Sequence, residues 1–253
     1  MRILKPRNHK MTQRNHKMTQ WKEISLKGGR TTPGIIKIDN TVHRPQASNA
    51  KIVHALLLHL ENIHFNGAPR FLGIDDQNRE MLTYIDGDVP TELGIWSDKV
   101  LASAAQLIRH YHDATIKSRF ADHGEVFCHY DLSPCNTVFK NGSPIAFIDF
   151  DAASPGKKID DVAYAIWLWC DLGNPELSVI EQSRRIQLFY TSYGLSDTKS
   201  AIIDAIIEAQ KKQIKKYQAN VNNGLPGWEK AIAWAENALK WVTINKAILE
   251  NEL

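Results

Sequence analysis

No apolar run in this chain approaches the ~20 residues a membrane-crossing helix needs. The N-terminus also lacks the apolar segment of a secretory signal. Neither a membrane nor an exported protein is therefore expected. Cysteine is scarce: Cys128, Cys135 and Cys170 are an odd three, without the dense spacing of a disulfide framework. That usage suits a reduced, cytoplasmic setting. Acids are missing from the first twenty residues, which carry Arg2, Lys5, Arg7, Lys10, Arg14 and Lys17, so the net charge of +3 is local and the remainder sums to about −3. A body of that charge is no basic nucleic-acid platform, and no nucleic acid, membrane or obligate protein partner is expected. Within residues 1–20 the heptad RNHKMTQ stands at 7–13 and again at 14–20. This stretch reads as a duplicated or upstream extension, largely disordered, with Met11 and Met18 as alternative starts.

What is present begins at Trp21. The 253 residues are enough for a substantial core. "WKEISLKGGRTTPGIIKID" reads as strand, Gly-rich turn and strand, and "TVHRP" as a third short strand. "ASNAKIVHALLLHLENIHF" is helical, with Ser48 or Asn49 as cap and Ile52, Leu56, Leu57 and Leu60 on one face. "APRFLGID" and "EMLTYID" add two strands across a polar turn at Asp75 to Asn78. The pattern then changes near Asp86-Gly87, with a helix capped by Ser97 or Asp98 and almost continuous helical periodicity after Gly156. The fold class is α+β: a small lobe of five strands and one helix at 21–85, then a larger, mainly helical lobe at 86–253.

Between the helices lies "HYDLSPCNTVFKNGSPIAFIDFD", residues 129–151. Carboxylates at the end of an apolar strand are costly to bury without a partner. Asn141-Gly142 marks a hairpin turn. Pro144 has no N–H for a ladder, which assigns it to the loop. With Asn141 to Pro144 as loop, Lys140 pairs with Ile145 and Asn136 falls opposite Asp149, with Cβ atoms ~5 Å apart. An amide oxygen and a carboxylate are hard ligands suited to Mg²⁺. Asp151, two residues on, shares Asp149's face and reaches a second ion or a substrate cation. Asp131 lies on the loop beside them; ionised at neutral pH, it suits a general base. Two ligands and one base fit phosphoryl transfer.

These residues resemble a known family. "HYDLSPCN" matches His-x-Asp-x4-Asn, the catalytic loop of the protein-kinase-like superfamily, with "IDFD" in the place of its metal-binding Asp. The context is similar to the aminoglycoside phosphotransferase and choline-kinase-like branch over roughly residues 21–250. The resemblance implies a protein-kinase-like bilobal fold and an ATP- and Mg²⁺-dependent kinase acting on a hydroxyl of an aminoglycoside-, choline- or sugar-like acceptor. It makes Asp131 the catalytic base, Asn136 and Asp149 the Mg²⁺ ligands, Asp161 a helix-borne brace of the loop, and His129 structural. It puts Gly28 and Gly29 over the phosphates and Thr83, Tyr84 and Ile85 at the adenine hinge.

Two departures stand out. Arg44 replaces the usual phosphate-contacting Lys, a planar fork in place of a point charge, with Lys37 as the fallback cation. The acid expected on the following helix is missing: Val53 or His54 occupies its place, so the usual pair is absent or rebuilt. An inactive nucleotide-binding module and a metal-dependent hydrolase are the rival readings. Cys128, His129 and Cys135 lack the spacing of a structural zinc site. Trp167, Trp169, Trp228, Trp234 and Trp241 read as core rather than as a box for a quaternary ammonium.

Overall fold

A computed structural model describes residues 23–26, 33–116, 118–121 and 124–252. The basic stretch 1–20 and the Gly28-Gly29 turn lie outside the described residues. The first half is a five-stranded antiparallel sheet, ordered β1-β2-β3-β5-β4, with one helix. Its strands are β1 (Glu23–Ser25), β2 (Ile36–Ile38), β3 (Thr41–Pro45), β4 (Phe71–Ile74) and β5 (Arg79–Thr83). Asp39-Asn40 makes the β2–β3 turn, Asp39 taking φ 50, a left-handed conformation that Asp tolerates. The expected polar turn at Asp75 to Asn78 joins β4 to β5, and Asp75 accepts the amides of Gln77 and Arg79.

Helix α1 (Ala50–Asn62) follows β3. Its buried face is Ala50, Val53, Leu56, Leu57 and Leu60, so Val53 stands where the sequence pattern had put Ile52, which is 40% exposed. Asn49 is the N-cap residue, as expected, but its side chain makes no capping bond. Its Nδ2 instead donates to the carbonyl of Asp151, 2.9 Å away.

The second half is built on α2 (Asp98–Thr115), α3 (Lys158–Trp169), α4 (Val179–Tyr193), α5 (Lys199–Asn222) and α6 (Glu229–Glu252). Helix α4 packs on α2, α3 on α5, and α6 along α5 and α4. One continuous core runs from Leu56, Leu57 and Leu60 through Ile108, Phe127 and Phe147 to Trp167, Trp169 and Phe189. Trp167 stacks on Trp234 at 4.9 Å, and Trp228 on Tyr217 at 5.1 Å. Trp167 and Trp169 are fully buried, as the core reading requires.

Two small ribbons sit between sheet and helices. β6 (Val126–Cys128) pairs with β9 (Ser154–Gly156), and β7 (Thr137–Lys140) with β8 (Ser143–Phe147). The β7–β8 register departs from expectation. The loop is only Asn141-Gly142, with φ 52 and 73, so Lys140 pairs with Ser143 and not with Ile145. Pro144 lies inside β8, opposite Phe139, at a bulge next to Val138. Its missing donor costs nothing there, because Phe139 turns both backbone groups outward to Asp88, at 2.7 and 2.9 Å. The ribbon is thereby tied to the segment leaving β5. Gly87 allows this approach, since a Cβ there would lie 2.4 Å from the Phe139 carbonyl. No helix of the described residues is long and apolar enough to cross a membrane.

Candidate active site

The shifted register moves Asn136 opposite Ile148, whose N–H donates to the Asn136 carbonyl at 2.9 Å. Asn136 and Asp149 are therefore one residue out of register, not directly opposed. The strand also ends at Phe147, so strand alternation does not place Asp149 and Asp151 on one face. Instead Asp149 adopts a left-handed conformation, φ 65 and ψ 64, and a 3-10 turn at Phe150–Ala152 follows. The backbone leaves the ladder here, and both carboxylates turn toward β3.

Their partner is Arg44. Its Nη1 donates to Asp149 Oδ1 at 3.2 Å, its Nη2 donates to Asp151 Oδ2, and its Nε lies 3.0 Å from Glu80 Oε1. Arg44 and Glu80 are register partners on β3 and β5, with side chains only 7% and 4% exposed. His54 on α1 completes the set, its Nε2 2.6 Å from Glu80 Oε2 and its ring stacked on Phe71 at 3.8 Å. The acid beside Arg44 thus comes from the neighbouring strand, and the helix supplies a histidine to it. Glu80 belongs to no motif, and its one signal in the sequence is an acid inside "REMLT" opposite "TVHRP". Lys37 takes no part, its Nζ lying 3.4 Å over the Tyr84 ring.

One guanidinium faces three carboxylates, which leaves the cluster with two surplus negative charges before His54 is considered. Burial works to lower the Arg44 pKa, yet Asp151, Asp149 and Glu80 together hold it above the ordinary value. Burial lifts Asp151 above the usual carboxylate range, Arg44 pulls it back, and Asp149 adds to the rise.

Asp131 stands on the loop between β6 and the 3-10 turn Pro134–Asn136. Helix α3 grips that loop residue by residue. The fully buried Asp161 accepts the amides of His129 and Tyr130, each at 2.8 Å, and also meets His112 Nε2 at 3.0 Å. Tyr164 donates its hydroxyl to Asp131 Oδ1 at 2.9 Å, and Trp169 Nε1 donates to the Leu132 carbonyl at 3.1 Å. Tyr130 takes φ 58, and Gly156 makes room for it: a Cβ there would lie 2.0 Å from the Tyr130 hydroxyl. His129 packs at 4.5 Å on Phe150 and points Nε2 at the Ile148 carbonyl, 3.2 Å away. Asn136 commits its Nδ2 to the Asp131 carbonyl at 3.1 Å, so its Oδ1 is the atom left for a ligand.

At Thr83 to Ile85 two of the three amides are taken. Thr83 N donates to Arg70 O and Tyr84 N to Asn40 O, which leaves that of Ile85. Cys128 is buried and its thiol is pushed far above its usual pKa by burial, so it stays protonated. It also neighbours His112 and Asp161 in a fully buried group. Asp161 there already accepts two loop amides and meets His112, which favours a brace over a metal centre.

The family model for APH, the phosphotransferase enzyme family, matches residues 30–185, more than half of the chain. This protein belongs to that family. It is 28% identical over 262 residues to the trifolitoxin immunity protein of Rhizobium leguminosarum bv. trifolii, a match spanning 91% of this chain and 98% of that one. Its fold is similar to that of spectinomycin phosphotransferase APH(9)-Ia, solved with ADP and spectinomycin (TM-score 0.59, 13% identity, 92% of this chain and 93% of that one). It is equally similar to choline kinase from Cryptosporidium parvum (TM-score 0.59, 13% identity, 92% and 90%). Phosphotransferase membership and the kinase-like fold therefore agree.

Proposed function

We propose that this APH-family protein is an ATP- and Mg²⁺-dependent kinase that moves a γ-phosphoryl group to a hydroxyl of a small acceptor. In this reading residues 21–85 hold the nucleotide and 86–253 carry catalysis and the acceptor. The observation that carries it is the surplus of acid around Arg44, immediately beside a loop that presents Asp131 and the Asn136 oxygen. Carboxylate and amide oxygens are the donors Mg²⁺ prefers, and the guanidinium between Asp149 and Asp151 already marks a place for positive charge. The residues present therefore fit the ion, with Asn136 and Asp149 as its holders. When bound, the ion would neutralise charge on the phosphates.

The chain's own groups do the rest. Arg44 contacts nucleotide phosphates from a sheet that fixes its position through Glu80. Gly28 and Gly29 cover the phosphates. The Thr83-Tyr84-Ile85 segment borders the base, with the Ile85 amide as the donor still available. Asp131 receives the acceptor hydroxyl and takes its proton, work worth ~10²–10⁴ in rate. The brace from Asp161 holds that carboxylate's loop still.

Acceptors of the aminoglycoside, choline and sugar classes all present such a hydroxyl. The name of the curated relative adds trifolitoxin to the acceptors worth testing. The test is incubation with Mg²⁺, ATP and this acceptor panel, read by mass spectrometry, with Asp131→Asn as blank. A phosphorylated acceptor that vanishes in the blank is the expected result, and no product across the panel counts against the kinase. A second reading, a nucleotide-binding module without turnover, draws on Arg44 being committed to three acids. It predicts nucleotide-dependent thermal stabilisation with no product.

A further inference from the structure

We infer that Tyr164 is a positioning residue for this reaction, its hydroxyl fixing the Asp131 carboxylate so that one oxygen is presented to the acceptor. The inference rests on the kinase reading above. Four consecutive loop residues, 129 to 132, are each held by a side chain of α3. Three of those contacts go to the loop's main chain. The contact from Tyr164 alone goes to a side chain, and that side chain is the proposed base.

Asp161 and Tyr164 are three residues apart, so they share a helix face, which is the face turned to the loop. Tyr164 is only 8% exposed, and its ring meets Trp167 edge-on at 5.9 Å. A buried phenol hydroxyl needs a partner, and that of Tyr164 donates to Asp131 Oδ1. The phenol restrains the torsions of the Asp131 side chain. With it, Oδ1 is occupied and Oδ2 is the atom that faces a substrate hydroxyl. A general base must lie within hydrogen-bond reach of the proton it takes, and small misplacements of such groups are costly.

Tyr164→Phe removes one oxygen and keeps the packed ring. The assay is Mg·ATP turnover, measured as ADP release with water and with the acceptor panel, beside Mg·ADP affinity and the melting temperature. The expected result is kcat lower by ~10–100-fold, the scale of one hydrogen bond to a charged group. The KM for ATP and the affinity for Mg·ADP should stay within about twofold. In an Asp131→Asn background the same substitution should change the residual ADP release with water by less than about twofold, because both act through one carboxylate. An unchanged kcat, or an equal loss in that background, overturns the inference.

A second measurement is independent of turnover. In a crystal structure of Tyr164→Phe the Asp131 carboxylate should leave its wild-type rotamer or take several, and retention of the single wild-type rotamer overturns the inference. A wild-type protein that binds Mg·ADP but releases no ADP from ATP defeats the kinase reading, whereas the rotamer comparison still decides whether Tyr164 sets Asp131.

Discussion

Asp149→Asn is expected to tighten the binding of metal-free nucleotide, although it removes a proposed metal ligand. Arg44 donates Nη1 to Asp149 and Nη2 to Asp151, while its Nε lies 3.0 Å from Glu80. Of these acids only Asp149 also belongs to the proposed cation site, so a cation that claims it would release Nη1 for phosphate. A hydrogen bond to a charged group contributes about 1.5–3 kcal/mol. Asp149 is 34% exposed, and solvent screening puts this pair at the lower end, about 1–2 kcal/mol. That corresponds to a ~5–30-fold gain. Titration of a fluorescent ADP analogue in EDTA and then in Mg²⁺ reads it directly. The variant should bind more tightly than wild type in EDTA and gain little from Mg²⁺, whereas wild type gains strongly. Simple loss of a negative charge would also favour an anion, so the control is Arg44→Gln: in that background the gain from Asp149→Asn should collapse. A gain that persists without Arg44, or no gain at all, refutes the exchange.

Other consequences follow from the same contacts. Asp161→Ala strands the buried amides of His129 and Tyr130 together with His112, and unsatisfied donors cost about 1–3 kcal/mol each. Urea denaturation should therefore show a loss of roughly 3–5 kcal/mol, and a loss below about 1 kcal/mol would mean the brace is unimportant. Asp75 answers to acid: burial opposes its charge, but hydrogen bonds from His43 and Arg79 hold its carboxyl well below the usual range. A depressed native pKa gives stability that is present above the unfolded value, ~3.9, and is lost as pH falls through the folded one. Asp75→Asn should thus flatten the decline of the urea midpoint below about pH 4, and an unaltered decline contradicts this. Cys170 is buried and its thiol is pushed up to about 12 by burial, so with Cys128 it should resist alkylation at pH 8 until denaturant is added. Rapid labelling of both in the native protein would speak against the packing.

Much of the fold was legible because local patterns and tertiary burial agree. The Asp75 to Asn78 turn, the apolar stripe of α1 and the helical run after Gly156 each read the same way at both levels. The failures have physical causes. Pro144 argues for a longer loop because a lost donor is ordinarily costly in a ladder, yet Phe139 spends its groups on Asp88, a contact far away in sequence. Ile52 and Val53 both fit a helical stripe, and only the sheet's position decides between them. β9 carries Pro155 and Gly156, residues disfavoured in strands, and it is a strand solely through its pairing with β6.

The site divides the same way. Asp131, Asn136 and Asp149 stand in a motif of fixed spacing, so they were visible at once. Glu80, His54 and Tyr164 act across the fold, and their partners lie 36, 26 and 33 residues away or nearby in space only. Glu80 was recoverable by pairing "TVHRP" against "REMLT". Tyr164 sat three residues after Asp161 with nothing in its neighbours to single it out.

The most direct test of the account is a crystal structure with Mg²⁺ and a non-hydrolysable ATP analogue. It should place a cation ~2.0–2.1 Å from Asn136 Oδ1 and an Asp149 oxygen, with the γ-phosphate between that ion and Asp131 and an Arg44 nitrogen turned to the phosphates. A nucleotide bound elsewhere, or an ion held without either Asn136 or Asp149, would contradict it.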